Sequence, residues 1–327
     1  MHELLDILIV GAGPTGLACA IEAVTRHLKL LVVEKGVLVN SIYKYPSTMT
    51  FFTSRERLEI GDLPLPSLNI KPHRAEALEY YRRVADFYRL PIHFQERVRG
   101  IGGHDGEFRV DTLTSEGRRA EYLTKKAIIA TGYYDLPNLL GIPGEELPKV
   151  SHYYTDPHPY YRRKVAVIGG ANSAAVAALD LWRHEAEVTL IYREPALSSH
   201  LKYWIRPDIE NRIKEGSIRA LPECEVKEIV PGGICVHRRS GEILHLENDS
   251  VFALTGYHPD FRFLRDIGVE IDPATHRPRC HAESLESNVP GIYLAGVIIA
   301  GLDTNEIFIE NGRFHGKQIL ADIEKKI

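Results

Sequence analysis

Residues 6–16 read Asp6-Ile-Leu-Ile-Val10-Gly11-Ala-Gly13-Pro14-Thr15-Gly16. The apolar run up to Val10 has the composition of a parallel strand buried on both faces. The glycines that follow match G-x-G-x-x-G. Leu17 to His27 then reads as a helix, with Pro14 near its first turn, where a missing N–H costs nothing. A second strand, Leu30–Val33, ends on Glu34, twenty-three positions after Gly11. In this arrangement Gly11 makes the tight turn, Gly13 lets the backbone approach a pyrophosphate, and Gly16 lets helix and strand pack closely. The pyrophosphate sits on the free N–H groups and positive dipole end of the helix. A carboxylate at Glu34 accepts hydrogen bonds from ribose hydroxyls and repels a 2′-phosphate. The first site is therefore expected to hold FAD or NAD rather than NADP.

Working outward, the same pattern occurs a second time. Lys164–Ile168 reads as a strand, Gly169-Gly-Ala171-Asn172-Ser173-Ala174 as a glycine-rich turn, the residues to about His184 as a helix, and Glu187–Ile191 as the next strand. The slot that holds Glu34 in the first unit holds Arg193 here. A guanidinium there can pair with a 2′-phosphate, and Lys202 adds a second cation, so NADPH is expected over NADH, with Glu194 working against that preference. Ala171 places a methyl group where the second glycine would let the backbone approach the phosphates. One dinucleotide fold suggests a dehydrogenase. Two in one chain, the first ending in an acid and the second in an arginine, suggest a flavoprotein that carries hydride from NADPH to FAD.

The rest of the chain narrows the class. It has 327 residues, 44% hydrophobic and 26% charged, enough for two globular domains. The 40 basic and 44 acidic residues leave a net charge of −4, which argues against a nucleic-acid partner. Arg82-Arg83 and Arg162-Arg163-Lys164 are expected to be solvated faces. No apolar run approaches the roughly 20 residues that span a bilayer, and Met1-His2-Glu3 leads almost directly into a strand pattern, so the protein is expected to be cytoplasmic, with no membrane partner. The four cysteines, Cys19, Cys224, Cys235 and Cys280, form no C-x-x-C. A dithiol redox centre and a structural zinc site are both excluded on spacing, and no metal is expected. Cys19 should point from the first helix into packing.

The fold class that follows is α/β, with two Rossmann-like dinucleotide-binding domains and the NADPH domain inserted into a discontinuous FAD domain. The expected division is 1–135 (FAD, first part), 136–256 (NADPH) and 257–327 (FAD, second part). His73–Leu90 reads as an amphipathic helix and Arg97–Thr131 as a β-meander ending in Ala127-Ile-Ile-Ala-Thr131-Gly132. Tyr133–Tyr161, rich in Pro, Gly and Tyr, is the linker candidate. The last segment holds a strand, Gly291–Gly296, and a helix from about Asn305 to Lys325.

Gly11-x-Gly13-x-x-Gly16, Ala130-Thr131-Gly132, Gly141-Ile-Pro-Gly144, the second glycine turn and Ala295-Gly296 together resemble the low-molecular-weight thioredoxin-reductase superfamily over nearly the whole chain. Two features depart from thioredoxin reductases: Ala and Val alone fill Ala175–Ala178, where a C-x-x-C would follow, and Val297 stands where an aspartate would hold the flavin ribityl chain. A closer resemblance is to the bacillithiol-disulfide reductase family (YpdA type). It is carried by Asn40-Ser-Ile-Tyr-Lys-Tyr-Pro46 with Thr50-Phe-Phe-Thr53, by Leu254-Thr-Gly-Tyr-His-Pro-Asp260, and by Asn305-Glu-Ile-Phe-Ile-Glu-Asn-Gly-Arg-Phe-His-Gly316. The resemblance implies FAD and NADPH as cofactors, reduction of an oxidised low-molecular-weight thiol, NADPH oxidation by oxygen, and a homodimer. Several members carry a cysteine inside the first glycine loop, where this chain has Thr15. A hydroxyl cannot relay disulfide exchange, so either the electrons pass directly from the flavin or the substrate differs.

The candidate flavin set is Gly11, Gly13, Pro14, Thr15, Gly16, Glu34, Lys35, Ser41, Tyr43, Tyr45, Val98, Thr131, Gly132, Gly296, Val297, Asn305 and Glu306. By resemblance, Ser41, Tyr43 and Tyr45 lie near the ring, and Asn305 and Glu306 start a helix aimed at its pyrimidine edge. The candidate NADPH set is Gly169, Ala171, Asn172, Ser173, Ala174, Arg193 and Lys202. No residue is assigned as catalytic; His152 and His158 are weighed for acid–base work, and His315 reads as structural. The alternatives are a ferredoxin- or flavodoxin-NADP reductase, a flavin monooxygenase, and a redox sensor without turnover.

Overall fold

The computed structural model describes residues 4–327; Met1–Glu3, on which the reading of the N-terminus rests, lie outside the described residues. The first half of the chain forms strands β1 (Leu4–Val10), β2 (Leu30–Val33), β3 (Ile92–His93), β4 (Glu96–His104), β5 (Glu107–Thr114) and β6 (Arg119–Ile129), with helices α1 (Pro14–Thr25), α2 (Asn40–Tyr43) and α3 (Arg74–Phe87). The middle forms β7 (Val150–Ser151), β8 (Lys164–Ile168), α4 (Asn172–Arg183), β9 (Glu187–Ile191), α5 (Arg206–Lys214), β10 (Arg219–Leu221), β11 (Cys224–Val230), β12 (Gly233–Arg238), β13 (Ile243–Glu247) and β14 (Ser250–Ala253). Helix α6 (Phe261–Asp266), β15 (Ile292–Leu294), α7 (Ile309–Gly312) and α8 (His315–Ile323) complete the chain. The chain divides into two compact units. The first comprises the described residues through Tyr43, Thr48–Leu136 and His258–Ile327; the second comprises Lys44–Ser47 and Pro137–Tyr257.

In the first unit, seven strands form one sheet in the order β3-β2-β1-β6-β5-β4, with β15 also paired to β6. Strand β6 pairs with β1 along one edge and serves two partners in succession along the other. Its N-terminal half, Arg119–Thr124, pairs antiparallel with β5, and its C-terminal half, Ala127–Ile129, pairs parallel with β15. The parallel strands are buried on both faces, which is why Ile7, Leu8 and Ile9 are all fully buried and the run is unbroken rather than alternating. One face joins Leu8, Leu31, Ile129 and Leu294 to Phe108 and Val110 of the meander and Leu264 of α6. On the other face Tyr293, fully buried, donates its hydroxyl to Asp322 of α8 at 2.8 Å.

In the second unit five parallel strands run β10-β9-β8-β14-β7, and β11-β12-β13 form a separate antiparallel sheet. Ala174, Ala175, Ala177 and Ala178 of α4 are buried against Val165, Val167, Leu190 and Phe252, their small side chains letting the helix approach the sheet. The opposite face packs Ala166, Ile168 and Ile191 against Val226, Ile234 and Val236 of the antiparallel sheet. Each fully buried Val, Leu, Ile or Phe side chain among these is worth about 1.5–3 kcal/mol.

The segment read as a linker, Tyr133–Tyr161, is more than a connection. It supplies the edge strand β7, paired with β14, and Leu140, Ile142 and Leu147 pack against the antiparallel sheet's core. Its Pro and Gly content marks turns at each step, which resembles a linker composition without being one. Lys44–Ser47, flanked in sequence by the first unit, groups with the second: the Ser47 N–H donates to the Thr155 carbonyl at 2.7 Å.

Candidate functional site

The first glycine turn lies at the C-terminal ends of β1 and β6. Gly11 has φ +106°, and a Cβ on it would come 2.5 Å from the Ala130 carbonyl oxygen; a Cβ on Gly16 would come 2.0 Å from the Gly11 oxygen. Both positions exclude a side chain because backbone meets backbone. Gly13 differs, since a Cβ there meets nothing within 4 Å. It is the N-cap residue of α1, with Pro14 in the first turn. The turn therefore presents open space over the N-terminus of a twelve-residue helix, where backbone N–H groups and the dipole favour an anion.

Glu34 is buried, and both its oxygens are already engaged. Oε2 accepts from the Ala12 N–H and Oε1 from the Gly36 N–H, each at 2.8 Å. Burial pushes its carboxyl above the usual range while these two N–H groups pull it back. The sequence reading has Glu34 as an acceptor for ribose. The structure adds that it first ties the second strand's end to the glycine turn, each oxygen keeping a further lone pair for a ligand. Lys35 forms an ion pair with Asp135 at 2.8 Å.

Ser41 and Tyr43 lie on the short helix α2, held from below by Arg74, whose guanidinium donates to the carbonyls of Ile42 and Tyr43 and lies 5.5 Å from the Tyr43 ring. Tyr43 is exposed. Tyr45, expected beside it, falls in the piece of chain that belongs to the other unit. Val98 is buried in β4, and Thr131 and Gly132 (φ +69°) follow β6 at the same sheet edge as Gly11. Gly296 (φ +82°) follows β15 and opens a 3-10 turn, Gly296–Ala300, that carries Val297 half-buried.

Thr15 is wedged in this cluster. Its Oγ1 would lie 3.2 Å from a Cβ on Gly296 and 2.9 Å from one on Gly312. The glycine loop, the 3-10 turn and α7 thus converge on its side chain.

The helix expected from Asn305 is a correction. Asn305 and Glu306 are exposed and precede it; the helix starts at Ile309, breaks after Gly312 and resumes at His315. The Asn311 side chain accepts the Phe308 N–H at 2.8 Å and fixes that later start. Glu306 instead pairs with Arg277 at 2.6 Å. A four-residue helix offers no dipole of consequence, so stabilisation of a flavin by a helix starting at Asn305 does not follow.

In the second unit Gly169 has φ +139°, and a Cβ there would meet the Leu254 carbonyl oxygen at 2.5 Å. Ala171 caps α4, Ser173 is exposed and Ala174 is buried against the sheet. Asn172 has a role the sequence did not reveal. Its Oδ1 accepts the Lys202 N–H at 2.9 Å and its Nδ2 donates to the His200 carbonyl at 3.2 Å. The loop after β9 is thereby folded back over the glycine turn, reinforced by the Ser198 N–H on the Gly170 carbonyl and by Arg206 on the Ser198 carbonyl. Arg193 leaves β9 exposed at the same end.

The remaining candidates take structural parts. Cys19 is fully buried, as expected, and burial pushes its thiol up to about 12; burial also raises Cys280. His152 lies between the Ala253 carbonyl and Glu145, and His158 sits in a short 3-10 turn. His315 accepts the Gly296 N–H at 3.0 Å. Asp135 and His315 carry no local motif; only the fold brings them to Lys35 and Gly296. Among the described residues no helix is long and apolar enough to cross a membrane.

Comparison with known proteins gives one consistent result. The family profile described as "Pyridine nucleotide-disulphide oxidoreductase" matches residues 8–296. The chain is 46% identical over 319 residues to a protein of Bacillus subtilis (strain 168) named bacilliredoxin reductase Bdr, covering 98% of this chain and 97% of that one. It superposes on the bacillithiol disulfide reductase Bdr (YpdA) of Bacillus cereus with a TM-score of 0.96 and 44% identity, over 99% of this chain and 100% of that one. The corresponding Staphylococcus aureus structure gives 0.93 and 38%, over 99% of both chains.

Proposed function

This chain belongs to the pyridine nucleotide-disulphide oxidoreductase family and, within it, to the bacillithiol-disulfide reductase (YpdA-type) group of FAD-dependent oxidoreductases, and on that premise we propose that it uses NADPH to reduce the disulfide of an oxidised low-molecular-weight thiol. The observation that carries the proposal is the pair of glycine turns, each at the C-terminal ends of parallel strands, with Glu34 at the end of the strand after the first and Arg193 just beyond the strand after the second. The residues of the first site fit a dinucleotide without a 2′-phosphate: the open face at Gly13 leaves room for a pyrophosphate that any side chain would obstruct, and the buried Glu34 is suited to ribose hydroxyls and hostile to a 2′-phosphate.

Bound FAD would supply the two-electron chemistry, taking hydride at N5 from NADPH and delivering the electron pair to the disulfide or to oxygen. The protein's part is binding and orientation. Gly11, Gly13, Pro14, Thr15 and Gly16 would cradle the flavin nucleotide's phosphates, Glu34 its ribose, and Lys35, Ser41, Tyr43, Val98, Thr131, Gly132, Gly296 and Val297 its remaining surfaces. Gly169, Ala171, Asn172, Ser173 and Ala174 would hold the NADPH phosphates, with Arg193 and Lys202 on the 2′-phosphate. Burial pushes the Cys19 thiol up to about 12 and raises that of Cys280, which disfavours the thiolate form at both. With Thr15 in the glycine loop, the electrons would pass to the disulfide without a loop thiol. The proposal extends to a cytoplasmic homodimer, as the resemblance to the superfamily implies.

The test is anaerobic stopped-flow reduction of the yellow protein by NADPH, followed by oxidised bacillithiol while flavin absorbance is recorded. Bleaching and then recovery on adding the disulfide is the expected result. Recovery only with oxygen or with ferredoxin would retain the cofactors and remove the disulfide as substrate.

A further inference from the structure

His315 opens α8, and the backbone there is fixed by close packing: a Cβ on the neighbouring Gly316 would come 2.9 Å from the Ala18 carbonyl oxygen of α1. From that fixed point the imidazole reaches the first residue beyond β15. Ala295 makes the last ladder bond of the strand, its N–H on the Ile129 carbonyl at 2.8 Å. Gly296 is buried, turns into the left-handed region and leaves the ladder. Its N–H donates to Nδ1 of His315 at 3.0 Å. Without that acceptor a buried donor would lose its partner, a loss that buried backbone rarely tolerates.

The geometry points to His315 as a positioning residue for the flavin: by accepting the Gly296 N–H it holds the 3-10 turn Gly296–Ala300 against Thr15 of the glycine loop, and so sets where the backbone at Gly296 and Val297 meets the cofactor. The inference rests on the flavin assignment proposed above for the first unit. Three elements converge at one point, because Thr15 Oγ1 occupies the space that a Cβ on either Gly296 or Gly312 would need. The imidazole can accept at Nδ1 only when neutral, with its proton on Nε2. Burial lowers its pKa to about 4, so it stays an acceptor at neutral pH.

The test compares wild type with His315→Leu, which removes the acceptor, and His315→Asn, whose side-chain oxygen can replace Nδ1. FAD affinity, the shape of the visible flavin bands and the flavin midpoint potential are measured, each on the folded fraction. The Leu variant is expected to bind FAD about tenfold more weakly, with shifted bands and potential; the Asn variant is expected to return both toward wild type. A Leu variant with wild-type affinity, bands and potential overturns the assignment. So does a pair of variants that lose thermal stability equally while the flavin properties stay unchanged, since that is a purely structural role. If the Leu variant does not fold, His315→Ala with added imidazole decides: return of FAD binding and of the wild-type bands supports the inference, and a folded protein that ignores imidazole overturns it. A wild-type protein that takes up no FAD would fail the flavin assignment itself, a result distinct from all of these.

Discussion

Gly13 and Gly16 lie three residues apart in one motif and do different physical work. At Gly16 a Cβ would strike the Gly11 backbone oxygen at 2.0 Å, whereas at Gly13 it meets open space. Gly16→Ala is therefore expected to destabilise the protein with or without cofactor, on the order of 3 kcal/mol. Gly13→Ala should leave the apoprotein within about 1 kcal/mol of wild type and weaken FAD binding by about tenfold or more. Denaturant melts with and without FAD measure both, and equal losses for the two variants would sink the distinction. His315 makes a pH prediction at the same scale. Its folded pKa is lowered to about 4 from 6.5. As pH falls, the unfolded chain takes up the proton first. The neutral imidazole's contribution is thus complete above about pH 6.5 and is lost progressively toward pH 4, amounting to about 3 kcal/mol. Wild type should lose that much more than His315→Asn across the window; parallel losses would mean the imidazole is not held neutral. The glycine spacing was legible in the sequence. The imidazole's acceptor role was not, because Gly296 and His315 come together only when β15 and α8 are both in place.

At the scale of elements, strand and helix positions followed from hydrophobic runs and glycine punctuation. Leu30–Val33, Lys164–Ile168 and Glu187–Ile191 appear as strands at the residues their composition indicates. The exceptions share a cause. The sequence pattern starts the C-terminal helix at about Asn305, but the Asn311 side chain bonds the Phe308 N–H and resets the start. Residues 133–161 have the frequent turns of a linker, yet β7 and three aliphatic side chains give most of the segment a place in the second unit. Side-chain capping and edge pairing are decided by neighbours that periodicity does not report. The loop after β9 supports a prediction at this scale. Asn172 ties it down through Lys202 and His200, with Arg193 at its start. Arg193→Ala should raise KM for NADPH about tenfold and leave KM for NADH nearly unchanged. Asn172→Ala should raise both, since it loosens the loop rather than removing a charge. An equal effect of Arg193→Ala on the two nucleotides, read from initial rates, would take the 2′-phosphate away from Arg193.

For the molecule as a whole, two units with separate cores predict separate responses to the two nucleotides. FAD at a hundred times its Kd should stabilise the protein by about 2.7 kcal/mol. Hydrogen exchange should slow at residues 11–16 and 296–300 with FAD, and at 169–175 and 193–202 with NADPH. Protection by FAD of 169–175 in place of 11–16 would reverse the assignment of the two turns. The sequence by itself determined that there are two dinucleotide-type turns, that one ends in an acid and the other in an arginine, and that no C-x-x-C is available. Those features are local: backbone conformation, strand burial and the charge at a strand end are written within about thirty residues. The tertiary structure decided which protein groups these polar side chains are bonded to. Glu34 is bonded first to Ala12 and Gly36, Asn172 first to Lys202 and His200, and Glu306 to Arg277, while His315 is carried to Gly296 from nineteen residues away. The physical reason is that a buried polar group must find a partner wherever the packed elements bring one, and which partner arrives depends on the packing of distant elements.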